Sequence, residues 1–85
     1  MPDLVVAYTT RWCPDCSRSR RVMQRLGIAF REIDIDEVEG AEDDMRVLNG
    51  GSGKVPTIRI DGRILIEPSD QELAAALQAT LQKTA

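Results

Sequence analysis

The apolar positions at the start of the chain change from strand-like to helix-like spacing. Residues 4–8 form a short run rich in β-branched side chains, which predicts a buried strand. Residues 14–26 place apolar side chains three and four positions apart, which predicts an amphipathic helix. Pro14 suits the first turn of that helix because the N–H that it lacks would be unpaired there, and Gly27 suits the position just past the end. The apolar stripe consists of Val22, Met23 and Leu26.

The middle of the chain has weaker patterns. Residues 28–35 alternate imperfectly between apolar and polar side chains and predict a second strand. Residues 38–48 predict a second helix, whose acidic first half suits a helix N-terminus. Gly40 lowers the helix propensity of this segment. Residues 49–53 contain three glycines and predict a loop.

The last third of the chain has the clearest local signals. Residues 57–60 and 63–66 flank an Asp-Gly pair, which predicts a β-hairpin. Ser69 and Glu72 have the spacing of a capping box, in which each side chain accepts a hydrogen bond from the backbone of the other residue. They therefore predict the start of a closing helix. The apolar face of this helix consists of Leu73, Ala76, Leu77 and Leu81.

The predicted order of elements is β-α-β-α-β-β-α. A strand–helix–strand unit forms a parallel pair, whereas the hairpin forms an antiparallel pair. The sequence therefore predicts an α/β fold with a four-stranded mixed sheet and three helices on its two faces. We expect residues 1–85 to form one domain with one modest core.

The composition is that of a globular protein, with 42% hydrophobic and 29% charged residues among 85. The longest apolar runs are too short to cross a bilayer, so we expect no membrane association. The first residues lack a basic segment followed by a long apolar stretch, so we expect no signal peptide and a cytoplasmic protein. The net charge of −3 argues against nucleic acid as a partner.

The charges are unevenly distributed along the chain. Arginines are concentrated around the segment that contains the two cysteines, whereas acidic residues dominate the middle. Two interpretations remain open: these are solvated helix faces, or the arginines create a positive field around a thiolate that meets anionic thiols or an acidic partner. The arginines are Arg11, Arg18, Arg20, Arg21 and Arg25, and the acidic residues are Asp34, Asp36, Glu37, Glu39, Glu42, Asp43 and Asp44.

Cys13 and Cys16 are the only cysteines in the chain. They lie between a predicted strand and a predicted helix, and this arrangement is typical of a dithiol redox site. An inert buried pair and half of a zinc site are the alternatives. A closed zinc site needs four ligands, and the chain has neither a histidine nor a second cysteine pair. We therefore expect redox chemistry and no metal.

The predicted helix gives the two cysteines different environments. The attacking species in thiol–disulfide exchange is a thiolate, and the unpaired N–H groups of a helix N-terminus favour negative charge at Cys13. Arg11 adds to this effect if it points toward the sulfur. Asp15 either disfavours a second nearby charge or, as a solvated carboxylate, stabilises the helix N-terminus. Cys16 lies in the first turn and should be more enclosed.

Three segments resemble those of glutaredoxins, which have the thioredoxin fold. They are residues 8–16, which contain the cysteine pair, residues 54–57, which resemble the family's segment before its third strand, and residues 69–70. Within the family the motifs are most similar to those of mycoredoxins, which work with mycothiol. The chain differs from the family pattern at Asp15, where an aromatic residue is usual, and at residues 66–67, where a Gly-Gly pair is usual.

The resemblance implies that Cys13 is the nucleophile and Cys16 the resolving cysteine in the reduction of protein mixed disulfides. It also implies that the Val55–Pro56 bond is cis and lies beside Cys13. The implied cofactor is a low-molecular-weight thiol, which is mycothiol, bacillithiol or glutathione. Its carboxylate end is expected at the start of the last helix. The implied cofactor-binding residues are Thr10, Arg11, Trp12, Pro14, Asp15, Val55, Pro56, Ser69 and Asp70.

Two other functions remain open. The first is a dithiol electron donor, for example to ribonucleotide reductase, that is itself reduced by a flavoprotein and requires both cysteines. The second, from a different class, is a carrier that binds an iron–sulfur cluster between two copies. Pro14 argues against the carrier because it stiffens the loop where a cluster needs room. We expect a monomer. Trp12 is interpreted either as an exposed recognition surface or as a packed loop residue.

Overall fold

The computed structural model of the chain describes residues 4–84, with side chains described as far as residue 81. The strands form one sheet in the order β2-β1-β3-β4, in which β1 is parallel to β2 and antiparallel to β3, and β3 is antiparallel to β4. The predicted element order and mixed sheet are confirmed. The elements are β1 Val5–Thr9, α1 Pro14–Arg25, β2 Arg31–Asp34, α2 Ala41–Asn49, β3 Thr57–Ile60, β4 Arg63–Ile66 and α3 Asp70–Thr84.

Strand β1 is buried on both faces because alternate side chains point into two different clusters. Val5 and Ala7 pack with residues of α1 and α3, whereas Val6 and Tyr8 pack with Met45 of α2. The predicted placement of three helices on two faces is therefore confirmed. The first cluster also contains Val22, Met23, Ile58, Ile60, Leu73, Ala76 and Leu77.

The predicted boundaries of β2 and α1 need correction. Strand β2 begins at Arg31 rather than at residue 28, because Ile28 is held by the end of α1: its N–H donates to the Met23 carbonyl at 3.0 Å. Helix α1 ends at Arg25 and is followed by Gly27 with a φ of +71°. This left-handed conformation, which glycine adopts without strain, closes the helix as predicted.

Helix α2 begins at Ala41 rather than at residue 38. The residue before it is Gly40, with a φ of +79° that no right-handed helix contains. Val38 belongs to a turn, in which its N–H donates to the Asp34 carbonyl at 3.0 Å. Strand β1 is shifted by one residue from its predicted range, whereas β3 and β4 have the predicted bounds.

Three segments that are distant in sequence meet near the C-terminal end of β1. Cys13 contacts Val55 in the loop before β3, with 3.7 Å between its Sγ and the carbonyl oxygen. Arg18 of α1 contacts Asp70 at the start of α3, with 3.0 Å between Nε and Oδ1. The fold thus brings the cysteine loop, the Val55–Pro56 segment and the N-terminus of α3 to one end of the sheet.

Candidate active site

Cys13 occupies the N-cap position of α1. Its backbone is extended, with φ −94° and ψ 109°, and its Sγ accepts a hydrogen bond from the Cys16 N–H at 3.0 Å. Pro14 follows in the first helical position, where its missing N–H leaves no bond unmade. Cys13 is partly exposed, and the N–H of Cys16 in the helix points at its sulfur. The N-terminal end of the α1 dipole therefore points at this sulfur.

Cys16 lies one helical turn further on and is buried, with 1% of its surface exposed. Burial, together with the hydrogen bond to Cys13, raises the pKa of the Cys16 thiol to about 12, whereas a hydrogen bond with the Thr10 backbone opposes the increase. Cys16 is therefore a protonated thiol at neutral pH. The two cysteines have clearly different environments, as the sequence predicts.

The Val55–Pro56 segment, in the loop before β3, lies next to Cys13. The peptide bond between these residues is cis, as the resemblance implies, and Pro56 is buried. The Val55 carbonyl oxygen lies within the range of a weak hydrogen bond from the Cys13 thiol, at 3.7 Å. A group attached to Cys13 would therefore lie beside the backbone of Val55.

The loop before Cys13 presents different groups to solvent. Trp12 is 86% exposed, which decides the open interpretation in favour of a surface residue. Thr10 is half-buried. Arg11 is exposed and pairs with Glu37, with 3.5 Å between the guanidinium nitrogen and the carboxylate oxygen. The conditional expectation that Arg11 supports the Cys13 thiolate is therefore not supported, because the side chain is engaged elsewhere.

Arg18 joins the two acidic residues that the sequence placed near the site. Its guanidinium bonds Asp15 and Asp70, each at 3.0 Å, and thus links the starts of α1 and α3. Asp15 is therefore neither free beside the sulfurs nor simply solvated, because a cation partly neutralises it. Sequence reasoning missed this role of Arg18. The spacing of Asp15 and Arg18 within one helix turn was a usable signal, whereas the contact with Asp70 was not.

The start of α3 is closed by its own side chains. The Ser69 N–H donates to Glu72 at 3.0 Å, and the Glu72 N–H donates to the Ser69 hydroxyl at 3.1 Å. These bonds confirm the capping box and hold the pKa of Glu72 below its usual range, the backbone bond from Ser69 being the larger cause. Two backbone groups of this segment are therefore already paired.

A second polar network that sequence reasoning missed connects α1 to the sheet. Arg20 donates from Nε to Glu32 at 2.8 Å and makes a further contact through its terminal nitrogen, and the Thr9 hydroxyl donates to the same carboxylate at 2.8 Å. These hydrogen bonds raise the pKa of Arg20 and lower that of Glu32. The Arg20 charge also acts on Cys16, whose pKa it lowers slightly against the effect of burial.

Residues 4–84 contain neither a cluster of metal ligands nor a membrane-spanning helix. No three His, Cys, Asp or Glu side chains in this part of the chain converge to hold a metal ion. Of the helices that the structure describes, none has the length and apolar character needed to cross a membrane.

A family model and individual relatives indicate the same protein family. The glutaredoxin family model matches residues 5–65. A Mycobacterium tuberculosis protein described as a glutaredoxin is 38% identical over 71 residues, which cover 82% of this chain and 84% of that protein. Mycoredoxin 1 of Corynebacterium glutamicum is 35% identical over 77 residues, which cover 88% and 94%.

Solved structures support the same fold. A glutaredoxin of Archaeoglobus fulgidus superimposes with a TM-score of 0.81 at 23% identity, covering 89% of this chain and 87% of that one. A buckwheat glutaredoxin–glutathione complex superimposes with a TM-score of 0.76 at 20% identity, covering 95% and 78%. The architecture is thus the thioredoxin fold. The chain belongs to the glutaredoxin family of thiol–disulfide oxidoreductases and is similar to its mycoredoxin-like members.

Proposed function

We propose that the protein reduces mixed disulfides between other proteins and a low-molecular-weight thiol, with Cys13 as the nucleophile. The observation that carries this proposal is the difference between the two cysteines. Cys13 is partly exposed and accepts a helix N–H, whereas Cys16 is buried with its pKa raised to about 12. At neutral pH only one of the two sulfurs is therefore suited to attack an incoming disulfide.

In the first step the Cys13 thiolate attacks the sulfur of the small thiol. The new bond joins Cys13 to the small thiol, and the bond between the small thiol and the protein substrate breaks. The substrate cysteine leaves as a thiolate with the electron pair and then takes a proton from solvent. The Cys16 N–H, 3.0 Å from the Cys13 sulfur, stabilises the attacking charge before the step.

In the second step a free molecule of the small thiol attacks the small-thiol sulfur now bound to Cys13. Cys13 is released as a thiolate, and the two small thiols form their own disulfide. Cys16 offers a second route, in which it attacks Cys13 and closes a disulfide within the chain. That route is slower because the buried Cys16 must first lose its proton.

The proposed binding site for the small thiol lies around Cys13. On one side it has the Val55 carbonyl and the buried Pro56, and on the other the exposed Trp12 with Thr10 and Arg11. Ser69 and Asp70 form its third border, at the start of α3. Mycothiol, glutathione and bacillithiol are the three candidates; one relative is a mycoredoxin, and one solved structure with the same fold is a glutathione complex.

The test is turnover on one model protein mixed disulfide that carries each of the three small thiols in turn. Wild type, Cys16→Ser and Cys13→Ser are compared. We expect turnover by wild type and Cys16→Ser with one preferred thiol, and none by Cys13→Ser. Absence of turnover with every thiol would contradict the proposal. So would turnover that survives in Cys13→Ser but not in Cys16→Ser.

A dithiol electron donor is the second candidate, and the contact between the two cysteines favours it. The Cys16 N–H donates to the Cys13 sulfur at 3.0 Å, so the two cysteines lie close together at the start of the helix, as a disulfide between them requires. This function would transfer two electrons to an enzyme such as ribonucleotide reductase and would be restored by a flavoprotein. Complete dependence on Cys16 in the turnover assay would favour it over the first candidate.

A further inference from the structure

One face of α1 carries a stripe of three arginines that the proposed chemistry does not use. Arg18, Arg21 and Arg25 are spaced three and four residues apart, so they lie on the same side of the helix. They line a groove of about 400 Å³ together with the buried Val22 and with Asp70 of α3. We call this the arginine groove.

The three arginines differ in their partners. Arg18 is occupied by Asp15 and Asp70. Arg21 and Arg25 are exposed, and neither has an ion-pair or hydrogen-bond partner among the side chains that the structure describes. Arg25 lies in the last turn of α1, where a cation also suits the helix dipole. Arg21 lies in the middle of the helix and has no such role, so the groove presents two uncompensated positive charges.

The groove begins at the active site and leads away from it. Arg18, at its near end, contacts Asp15 inside the cysteine motif. At a rise of 1.5 Å per residue, Arg18 and Arg25 lie about 8 Å and about 18 Å along the helix axis from Cys13. An extended peptide rises about 3.3 Å per residue. Residues about three to five positions from a cysteine at the active site would therefore reach the groove.

The acidic side chains elsewhere on the surface also favour the approach of an acidic partner from the side of α1. Acidic side chains are exposed in α2 and in the turn that precedes it, and α2 packs on the face of the sheet opposite to α1. An acidic partner is repelled from that side and attracted to α1, which guides its approach. The exposed acidic residues are Asp36, Glu37, Glu39, Glu42, Asp43 and Asp44.

We propose that the arginine groove docks an acidic segment of the protein substrate, located about three to five residues from the cysteine whose disulfide Cys13 attacks. This inference rests on the proposed function, because it takes a protein disulfide as the substrate. Arg21 and Arg25 bind the acidic side chains of that segment, and Arg18 fixes the near end of the groove to the active site.

The test uses two cysteine peptides, each activated as a 2-thiopyridyl disulfide. One carries three glutamates at positions three to five from the cysteine, and the other carries glutamines there. Cys13 attacks the peptide sulfur, the peptide becomes bound to Cys13, and thiopyridone leaves with the electron pair and is followed by its absorbance. The reaction is run in the Cys16→Ser background. The rate with each peptide is divided by the rate at which free N-acetylcysteine reacts with the same peptide.

With Arg21 and Arg25 in place, the acidic peptide should react about fivefold faster than the neutral one at low salt. One exposed ion pair can change a binding constant by up to about that factor. The preference should fall toward one in 0.5 M salt, where the screening length is only about 4 Å. Arg21→Glu and Arg25→Glu should each remove or reverse it. The matched control is Arg63→Glu, an exposed arginine in β4 with the same change of charge.

Equal loss of the preference in Arg63→Glu, or a preference unaffected by salt, would overturn the proposal. So would equal slowing of both peptides by Arg21→Glu, since the groove would then act on Cys13 rather than on the peptide. The assay contains no low-molecular-weight thiol cofactor. It therefore tests the groove even where the turnover assay with the three thiols fails, and the two proposals can fail separately.

Discussion

The N-termini of α1 and α3 lie next to each other at the candidate site, but their caps serve different ends. At α1 the capping group is the Cys13 sulfur, which accepts the Cys16 N–H and is partly exposed. At α3 Ser69 and Glu72 bond each other's backbone N–H groups. The N–H groups of a helix N-terminus thus point at a cysteine sulfur in one place and only secure the helix in the other.

The largest expected effect on turnover comes from replacing each cysteine by serine. Cys13→Ser should lower turnover at least about 10³-fold, because the proposed nucleophile is lost. Its stability should be unchanged, since serine is itself a favoured N-cap residue. Cys16→Ser should keep turnover within about tenfold of wild type, because in the proposed cycle a second small thiol releases Cys13. Steady-state rates and urea unfolding measure both effects. Equal loss of turnover in the two variants would contradict the asymmetry.

The unfolding free energy at alkaline pH tests the burial of the Cys16 thiol. The pKa of Cys16 is about 12 in the folded protein against an ordinary value of 9.0, so the folded state keeps a proton that the unfolded chain releases. The unfolding free energy of the reduced protein should therefore fall as pH rises above about 9. Cys16→Ser has no such proton and should show a shallower decline. Urea unfolding between pH 7 and 10.5 measures this, and parallel profiles would contradict it.

The α3 cap should affect stability rather than chemistry. Ser69→Ala should lower the unfolding free energy by about 1 kcal/mol. The pKa of Glu72 lies below its ordinary value, so its contribution is complete above about pH 4.5 and disappears as the pH falls through the folded pKa. Acidification should therefore destabilise wild type more than Glu72→Gln, as urea unfolding between pH 3 and 6 can show. A constant difference between the two proteins over this range would contradict the capping role.

The smallest expected effect concerns Arg18, which connects the two helix starts. Arg18→Gln leaves the Asp15 carboxylate without its cation near Cys13 and should slow alkylation of Cys13 by about twofold at pH 7. Adding Asp15→Asn should restore the rate, because the unpaired charge is then gone. Slowing that persists in the double variant would show that Arg18 acts in another way, for example through Asp70.

The parts of the structure that follow local rules could be predicted from the sequence. The Asp-Gly hairpin has its predicted bounds, and Ser69 and Glu72 form the predicted capping box. The misplaced boundaries are at β2 and α2. Before β2, the Ile28 N–H donates to a carbonyl at the end of α1. Before α2, Gly40 adopts a left-handed conformation. A pattern of apolar positions predicts neither feature.

The candidate site was predictable only in part, because its contacts join distant segments. The cysteine pair and its position before α1 could be found by spacing. The pairing of Arg18 with Asp70 spans 52 residues, and that of Arg20 with Glu32 joins a helix to a neighbouring strand. Such contacts depend on how elements pack, and sequence separation carries no signal for them.

The difference between the two cysteines can be measured by competitive alkylation of the reduced protein at pH 7 with less than one equivalent of iodoacetamide, followed by peptide mass mapping. Because the Cys16 thiol is buried with its pKa raised to about 12, almost none of it is thiolate at this pH. We expect labelling at Cys13 to exceed labelling at Cys16 by at least about a hundredfold. Comparable labelling of the two cysteines would contradict the central claim that their environments divide their roles.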